Sequence, residues 1–261
     1  MAIVSFLSDF GLKDNFVGVV KAVILKIDPS AKIIDISHQI PPHSILEAAL
    51  ILRSSFQFFP KNTIHLAIVD PGVGTTRKKI IVKTEDFYFV APDNGLLSLV
   101  LKQQPPLKII EITNKQYFLR PISSTFHGRD IFAPVAGYLS KGLAPERFGR
   151  EIFSYKELSL PKIEIKKNSL EGRILYVDHF GNLITNIGEK EFKRFIKGKK
   201  FKIKIKDRWI DRISSSYQAG IENQPLAIIG SFGFLEIALR EKNAARILGL
   251  GKNDKIKILV F

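Results

Sequence analysis

Short apolar runs and apolar stripes of helical period alternate along the first 150 residues. "AIVSFLSDF" reads as a strand that ends in a polar turn. "NFVGVVKAVILKIDP" carries its apolar residues at helical spacing and stops before Pro29, because the residue preceding a proline avoids the α region. "KIIDIS" predicts a second strand, "SILEAALILRSSFQFF" a second helix, "IHLAIVD" a third strand, and "KIIVKTEDFYFVAP" a hairpin. Strand and helix in alternation predict an α/β domain with a largely parallel sheet covered on both faces. In such sheets ligands sit beyond the carboxyl ends of the strands. The polar residues that follow strands are Asp9, Asp35, His38 and Asp70.

The texture then changes. Residues 154–170 are polar, Lys-rich and contain a proline, and read as a linker between an α/β domain over 1–153 and a second domain over 171–261. In the latter, "GRILYVDHFGNLITNI", "KFKIKIKDRWI", "PLAIIGSFGFLEIAL" and "DKIKILVF" are short strands separated by turn signals. They predict a small antiparallel β-barrel domain, with Phe232, Phe234 and Leu235 in its core. No internal repeat or low-complexity segment interrupts either half.

Composition narrows the field. With 45% hydrophobic residues among 261, the chain can bury a substantial core. No apolar run reaches the ~18 residues of a membrane span, and the N-terminus turns acidic by Asp9 without the apolar stretch of a signal peptide. A cytoplasmic protein with no membrane partner is expected. Having no cysteine, the chain can form no disulfide, thiolate metal site or cysteine nucleophile. The net charge of +15 raises a nucleic-acid partner as a rival from another class. Its densest run, "KGKKFKIKIKDRW", alternates Lys with Phe and Ile, the period of a strand with one wet face. The charge is therefore read as a solvated, Lys-rich surface with no nucleic-acid partner. A Lys-rich, Cys-free chain with one Met also fits the composition of heat-adapted proteins.

Four segments set Asp, Asn, His or Arg beside Gly or Pro directly after an apolar run: "SDFGLKDNFVG" (8–18), "VDPGVGTTRKK" (69–79), "APDNGLLS" (91–98) with "STFHGRD" (124–130), and "VDHFGNLITN" (177–186). None is a phosphate loop or a dinucleotide fingerprint. The five histidines are scattered, with no H-x-x-x-H or H-E-x-x-H pair, so no metal site is expected. G-x-S-x-G is absent, which removes the usual serine nucleophile. What remains is chemistry by Asp, Arg and His without a metal or a covalent intermediate.

Together, "SDFG", "VDPGVG", "PDNG", "STFHGRD", "DHFGN" and "SFGFLEIA" resemble the S-adenosylmethionine hydrolases, also called SAM hydroxide adenosyltransferases, relatives of fluorinating and chlorinating enzymes that attack the same substrate with halide. The resemblance runs from Ile3 to about Val260. It implies an N-terminal α/β domain, a C-terminal β-barrel domain, and a homotrimer with active sites between subunits. The implied reaction is S-adenosylmethionine plus water to adenosine and L-methionine, by in-line attack on C5′, with no cofactor and no metal. Carried onto this sequence, the family's water-activating triad falls on Asp70, Arg77 and His127. Asp9 matches the carboxylate that holds the ribose hydroxyls. Asp178 and Asn182 match groups around the methionine amino acid and ribose, and Tyr217 an aromatic beside the adenine. Ser231 lies where the family contacts the far end of the substrate, with Glu236 a further candidate there. Asn94 reads either as a turn residue or as a pocket residue.

The halide-using relatives carry Tyr where this chain has Asp70, and Tyr-Ser where it has His127-Gly128. A carboxylate at the nucleophile site repels an anion and accepts a hydrogen bond from water, so the resemblance favours hydrolysis over halogenation. A nucleoside- or S-adenosylmethionine-binding protein without turnover is the other alternative. Plainer readings stand beside these. Asp70 can close a turn before Pro71, Arg77 can be one of three surface bases in "RKK", and His127 can be a satisfied buried histidine. Asp9 can cap a helix, although Asp14 is the better-placed cap. Arg129 and Asp130 read as a structural ion pair or loop anchor.

Overall fold

The alternating strands and helices of the first half form a seven-stranded sheet in the order β2-β1-β3-β5-β4-β6-β7. This is seen in a computed structural model, which describes residues 2–261. The strands are β1 (Ile3–Ser8), β2 (Lys32–Ser37), β3 (Ile64–Ile68), β4 (Lys79–Lys83), β5 (Tyr88–Pro92), β6 (Lys108–Ile112) and β7 (Gly149–Ile152). Strands β2, β1, β3 and β5 are parallel; β4, β6 and β7 run antiparallel. The expected hairpin is β4–β5, paired from Lys79↔Pro92 to Lys83↔Tyr88.

Strand side chains alternate between two faces. Phe6, Leu66 and Ile68 enter one core with Val20 and Ile24 of α1 (Phe16–Ile27) and Val135 of α4 (Ala133–Ser140). Leu7, Ala67 and Val69 enter the other with Leu52 of α2 (Ile45–Ser55) and Val100 of α3 (Ser98–Leu101). With both faces covered, β1 and β3 bury nearly every residue, which explains their unbroken apolar runs. Helix α1 ends at Ile27 as Pro29 requires, but its N-cap is Asn15, without a side-chain cap bond. Asp14 is exposed and precedes the cap, because the helical stripe begins only at Phe16.

The chain leaves β1 to reach β2 on one side and returns past it to β3 on the other. The carboxyl ends of β1 and β3 thus flank a switch point, where an open α/β sheet leaves a crevice.

Two compact units divide between Leu158 and Ser159. The stretch 154–170 contains a short strand, β8 (Glu164–Lys166), which pairs with β9. In the second unit β9 (Ser169–Val177), β10 (Leu183–Gly188), β11 (Phe201–Ile205), β12 (Arg208–Ile210), β13 (Pro225–Ile229), β14 (Phe234–Leu239) and β15 (Lys255–Val260) pair antiparallel in the order β12-β11-β15-β9-β10-β14-β13. A bridge from Ile213 to Ala227 nearly closes this sheet into a barrel. Helices α5 (Glu189–Ile196) and α6 (Ala244–Leu248) pack Phe192, Ala244 and Leu248 into the barrel core, beside Leu235 and Ile237. Phe234 is buried as well, whereas Phe232 lies partly exposed and stacks on Tyr176 at 6.1 Å. No helix among the described residues is long and apolar enough to cross a membrane.

Candidate active site

Asp70 follows β3 by two residues and is carried by the turn "DPGVG". Gly74 adopts φ +79°, and a Cβ there would come within 2.5 Å of the Ser124 carbonyl oxygen. Glycine is required on both counts. That close approach presses the Asp70 loop against the loop that carries His127. His127 precedes a π-helical turn, Gly128–Phe132, which continues into α4 with Pro134 in its first turn. Such π turns recur at functional sites, and this one sets a buried histidine at the head of a helix.

Arg77 joins the two loops. Its Nε donates to Asp70 Oδ1 at 2.6 Å, and its Nη2 donates to Asp70 Oδ2 in a second, shorter bond. The same Nη2 lies 3.1 Å from His127 Nδ1. The Arg77 and Asp70 side chains are only 9% and 7% exposed, so this is a buried, bidentate pair. A guanidinium can only donate, so Nδ1 of His127 accepts and the imidazole proton sits on Nε2. Burial, and then the positive charges of Arg77 and Lys79, lower the His127 pKa and favour this neutral form. The remaining Arg77 nitrogen, Nη1, is buried and finds no acceptor among the described residues. The Arg77 guanidinium also lies 5.5 Å from the Phe132 ring centroid.

Asp9, Asp70 and His127 line one cavity of about 240 Å³. Asp9 comes from the carboxyl end of β1, and its Oδ2 accepts the His43 backbone N–H at 2.8 Å. It caps no helix. Four of the five candidates of the first unit are thus brought together: Asp9, Asp70 and His127 in the wall, and Arg77 bonded behind two of them. Asn94 is placed differently. Its Nδ2 donates to the Val69 carbonyl at 2.7 Å and its Oδ1 accepts the Leu96 N–H at 3.2 Å. Its side chain is committed to the backbone just before Asp70, which makes it a turn residue that steadies that loop. Arg129 and Asp130 form a two-bonded ion pair, and Asp130 also accepts the Ser123 N–H at 2.8 Å. That pair anchors the His127 loop.

The sequence motifs do not mark the three aromatic residues of the wall, Phe10, Phe16 and Phe126. Their rings pack within 5.2–5.9 Å of one another beside the carboxylates. "SDFG" and "STFHG" each place a phenylalanine next to a candidate polar residue, which was the available signal. His43, also in the wall, takes φ +67°. Nothing local marks that strain beyond the two prolines before it.

In the second unit, "DHFGN" forms the tight β9–β10 turn. Asp178 Oδ1 accepts the Asn182 N–H at 2.8 Å and Oδ2 accepts its Nδ2 at 2.9 Å, with Gly181 at φ +88°. Tyr217 Oη donates to Glu236 Oε2 at 2.9 Å. Burial, and the negative charge of Asp178, raise the Glu236 pKa above its ordinary value. Burial raises that of Tyr217, helped by Glu236. Asn182 and Tyr217 line a cavity of about 430 Å³ with Phe180, Gln218 and Asn243. Ser231 stands apart on the exposed β13–β14 turn and does not line this cavity. No cluster of three or more metal-ligating side chains occurs among the described residues.

Comparison with known proteins gives a consistent picture. The N-terminal domain of SAM hydroxide adenosyltransferase matches residues 4–149, and the C-terminal domain of the same family matches residues 172–257. An (R)-S-adenosyl-L-methionine hydrolase of Methanocaldococcus jannaschii is 35% identical, over 98% of this chain and 95% of that protein. One from Thermus thermophilus is 33% identical, over 98% and 99%. A fluorinase of Nocardia brasiliensis is more distant, at 26% identity over 78% and 77%. The crystal structure of an uncharacterized conserved protein from Thermotoga maritima superposes with a TM-score of 0.90 at 39% identity, covering 98% of this chain and 99% of that one.

Proposed function

This chain belongs to the SAM hydroxide adenosyltransferase family, and from that premise we propose that it hydrolyses (R)-S-adenosyl-L-methionine to adenosine and L-methionine. The observation that carries the reading is the Arg77 guanidinium, bonded to both Asp70 and His127 with Nη1 left over, behind the cavity that also holds Asp9.

The sulfonium makes C5′ electrophilic, and methionine leaves as a neutral thioether, so the leaving group needs no acid. The difficulty is the nucleophile. Water must be fixed in line with the C5′–S bond and its developing negative charge stabilised. Asp70 supplies the acceptor for a water proton. His127 Nε2–H supplies a donor for the oxygen as it becomes hydroxide-like, and the Arg77 cation, bonded behind Asp70 and His127, stabilises the developing negative charge. The O–C5′ bond forms while the C5′–S electron pair returns to sulfur, and the water proton passes toward Asp70 and on to solvent. Asp9 accepts hydrogen bonds from the ribose cis-diol and so sets C5′ over the triad. The phenylalanine wall keeps bulk water from competing with the held one. In the second unit, Tyr217 is the aromatic for adenine, and Asp178 and Asn182 serve the methionine and ribose end. No metal or cofactor has a role in this scheme, and a halide is disfavoured because the Asp70 carboxylate would face it with like charge.

We further propose that the enzyme works in the cytoplasm as a homotrimer. The family resemblance supports the trimer, and the candidate residues are divided between two separate units.

Turnover tests the reading. Chelator-treated protein, given (R)-S-adenosyl-L-methionine and excess chloride, should release adenosine and methionine in equal amounts. A 5′-halogenated nucleoside would point to the halide-using chemistry, and tight binding without product to a sensor. Activity that vanished on chelation and returned only with a divalent ion would overturn the metal-free scheme.

A further inference from the structure

Four polar residues that the scheme leaves unused form a chain that runs from the surface inward toward the Asp9 loop. Lys21 Nζ donates to Asp35 Oδ2 at 2.5 Å. Asp35 Oδ1 lies 3.1 Å from His38 Nε2, a close approach but one poorly directed for a hydrogen bond. His38 Nδ1 is 2.7 Å from Ser8 Oγ. Ser8 Oγ in turn accepts the Phe10 N–H at 3.4 Å. The carbonyl of His38 accepts the Gly11 N–H at 2.8 Å. Ser8 and His38 are buried, and the imidazole meets the Phe6 ring edge-on at 4.6 Å.

The arrangement is a Ser–His–Asp sequence of contacts, yet it cannot act as a nucleophilic triad, because Ser8 is wholly inaccessible. Its polarity shows what it does. The Asp35 carboxylate 3.1 Å away makes no well-directed bond, but its negative charge favours the proton of the neutral His38 ring on Nε2, the nitrogen nearer to it. Nδ1 is then an acceptor, which directs the Ser8 hydroxyl proton toward it. That leaves the Ser8 oxygen lone pairs for the Phe10 N–H. The contacts run from Lys21 on α1 through Asp35 on β2 to the end of β1, with the directed bonds at Lys21–Asp35 and His38–Ser8. The loop so held is Ser8–Gly11, and His38 grips it twice, by ring and by carbonyl. Asp9 sits inside that loop. Its carboxylate is steadied from the far side by the His43 N–H, five residues beyond His38.

We infer that His38, through Ser8, is a positioning residue that aims the Asp9 carboxylate into the cavity. This rests on the proposal that Asp9 holds the ribose. Lys21 and Asp35 are the charged groups that face the imidazole; burial, with the Lys21 charge, lowers the His38 pKa against the opposing pull of Asp35.

The test uses the full chain with His38→Leu, His38→Asn and Ser8→Ala, beside Asp9→Ala. Adenosine affinity is measured by calorimetry, and KM and kcat by turnover. His38→Leu and Ser8→Ala should weaken adenosine binding and raise KM by about tenfold, with kcat changed by less than about threefold, since the triad is untouched. His38→Asn, which can return an acceptor to Ser8, should recover most of the loss. Combined with Asp9→Ala, His38→Leu should add little further loss, because the two act as one unit. If Asp9→Ala weakens binding while His38→Leu and Ser8→Ala do not, or if the losses are additive, the inference falls. If Asp9→Ala itself leaves binding intact, the ribose assignment is wrong. Hydrogen exchange of the Phe10 and Gly11 amides then decides about His38. Exchange about tenfold faster in folded Ser8→Ala and His38→Leu supports its hold on the loop, and unchanged exchange overturns it.

Discussion

Arg77→Lys isolates what the guanidinium contributes. The substitution keeps a positive charge beside Asp70, so no carboxylate is left buried and uncompensated, which would cost about 3–5 kcal/mol. It removes the fork. Arg77 makes two bonds to Asp70 and one to His127, so one planar cation holds both groups beside the cavity. An ammonium on a flexible stem can keep one of these links, not all three. Each lost charge-assisted bond is worth about 1.5–3 kcal/mol, and a lost donor to developing oxyanion charge about 2.7–4 kcal/mol. On the latter scale kcat should fall by about 10²-fold or more. Affinity for adenosine should change by less than about threefold, because ribose and base are held by other residues. Single-turnover rates by rapid quench and adenosine binding by calorimetry separate the two quantities, with a melting curve to show that the variant is folded. A folded Arg77→Lys enzyme with near-normal kcat would refute the role of the fork. Normal kcat with lost adenosine binding would make Arg77 a substrate ligand instead.

Asp9→Ala should do the reverse, weakening adenosine binding by about tenfold or more through lost diol hydrogen bonds of roughly 1.5–3 kcal/mol each, with kcat at saturation largely kept. His65, buried on β3 beside Ser5 and ringed by Phe56, Phe59, Phe87 and Phe89, has its pKa lowered to about 3 by burial. The unfolded chain therefore binds a proton that the folded one refuses, and stability should be lost as pH falls from about 6.5 toward 3, by about 4–5 kcal/mol in all. Urea melts of His65→Gln against the parent should show that slope flattened; parallel curves would refute it. Light scattering should find a trimer, and a dilute, fully active monomer would contradict the proposed assembly.

Much of the fold and of the candidate site is legible in the order of the amino acids, and the limits follow from physics. β1 and β3, with their apolar runs, and the stripe of α1 declare themselves because burial on two faces, or one, imposes a period. β7, "GREI", carries no such pattern and is recruited by pairing with β6. β8 hides in a polar, proline-containing stretch because a short exposed edge strand needs no apolar face. At the site, Asp70, Arg77 and His127 are legible as motifs, though the bonds that join positions 70, 77 and 127 are not. The role of Asn94 depends on the Val69 carbonyl, 25 residues away in sequence, and the exposure of Ser231 depends on how the β13–β14 turn projects. Neither is local information. The π turn behind His127 likewise has no sequence period of its own.

The central claim is that water attacks C5′, and the position of its oxygen tests that most directly. The protein should be incubated with (R)-S-adenosyl-L-methionine in water enriched in heavy oxygen, and both products examined by mass spectrometry. The label should appear in the 5′-hydroxyl of adenosine and be absent from methionine. Unlabelled adenosine would mean that the oxygen comes from a group other than water, and 5′-methylthioadenosine with labelled homoserine would mean that another carbon is attacked; either would contradict the role assigned to the Asp70–Arg77–His127 site.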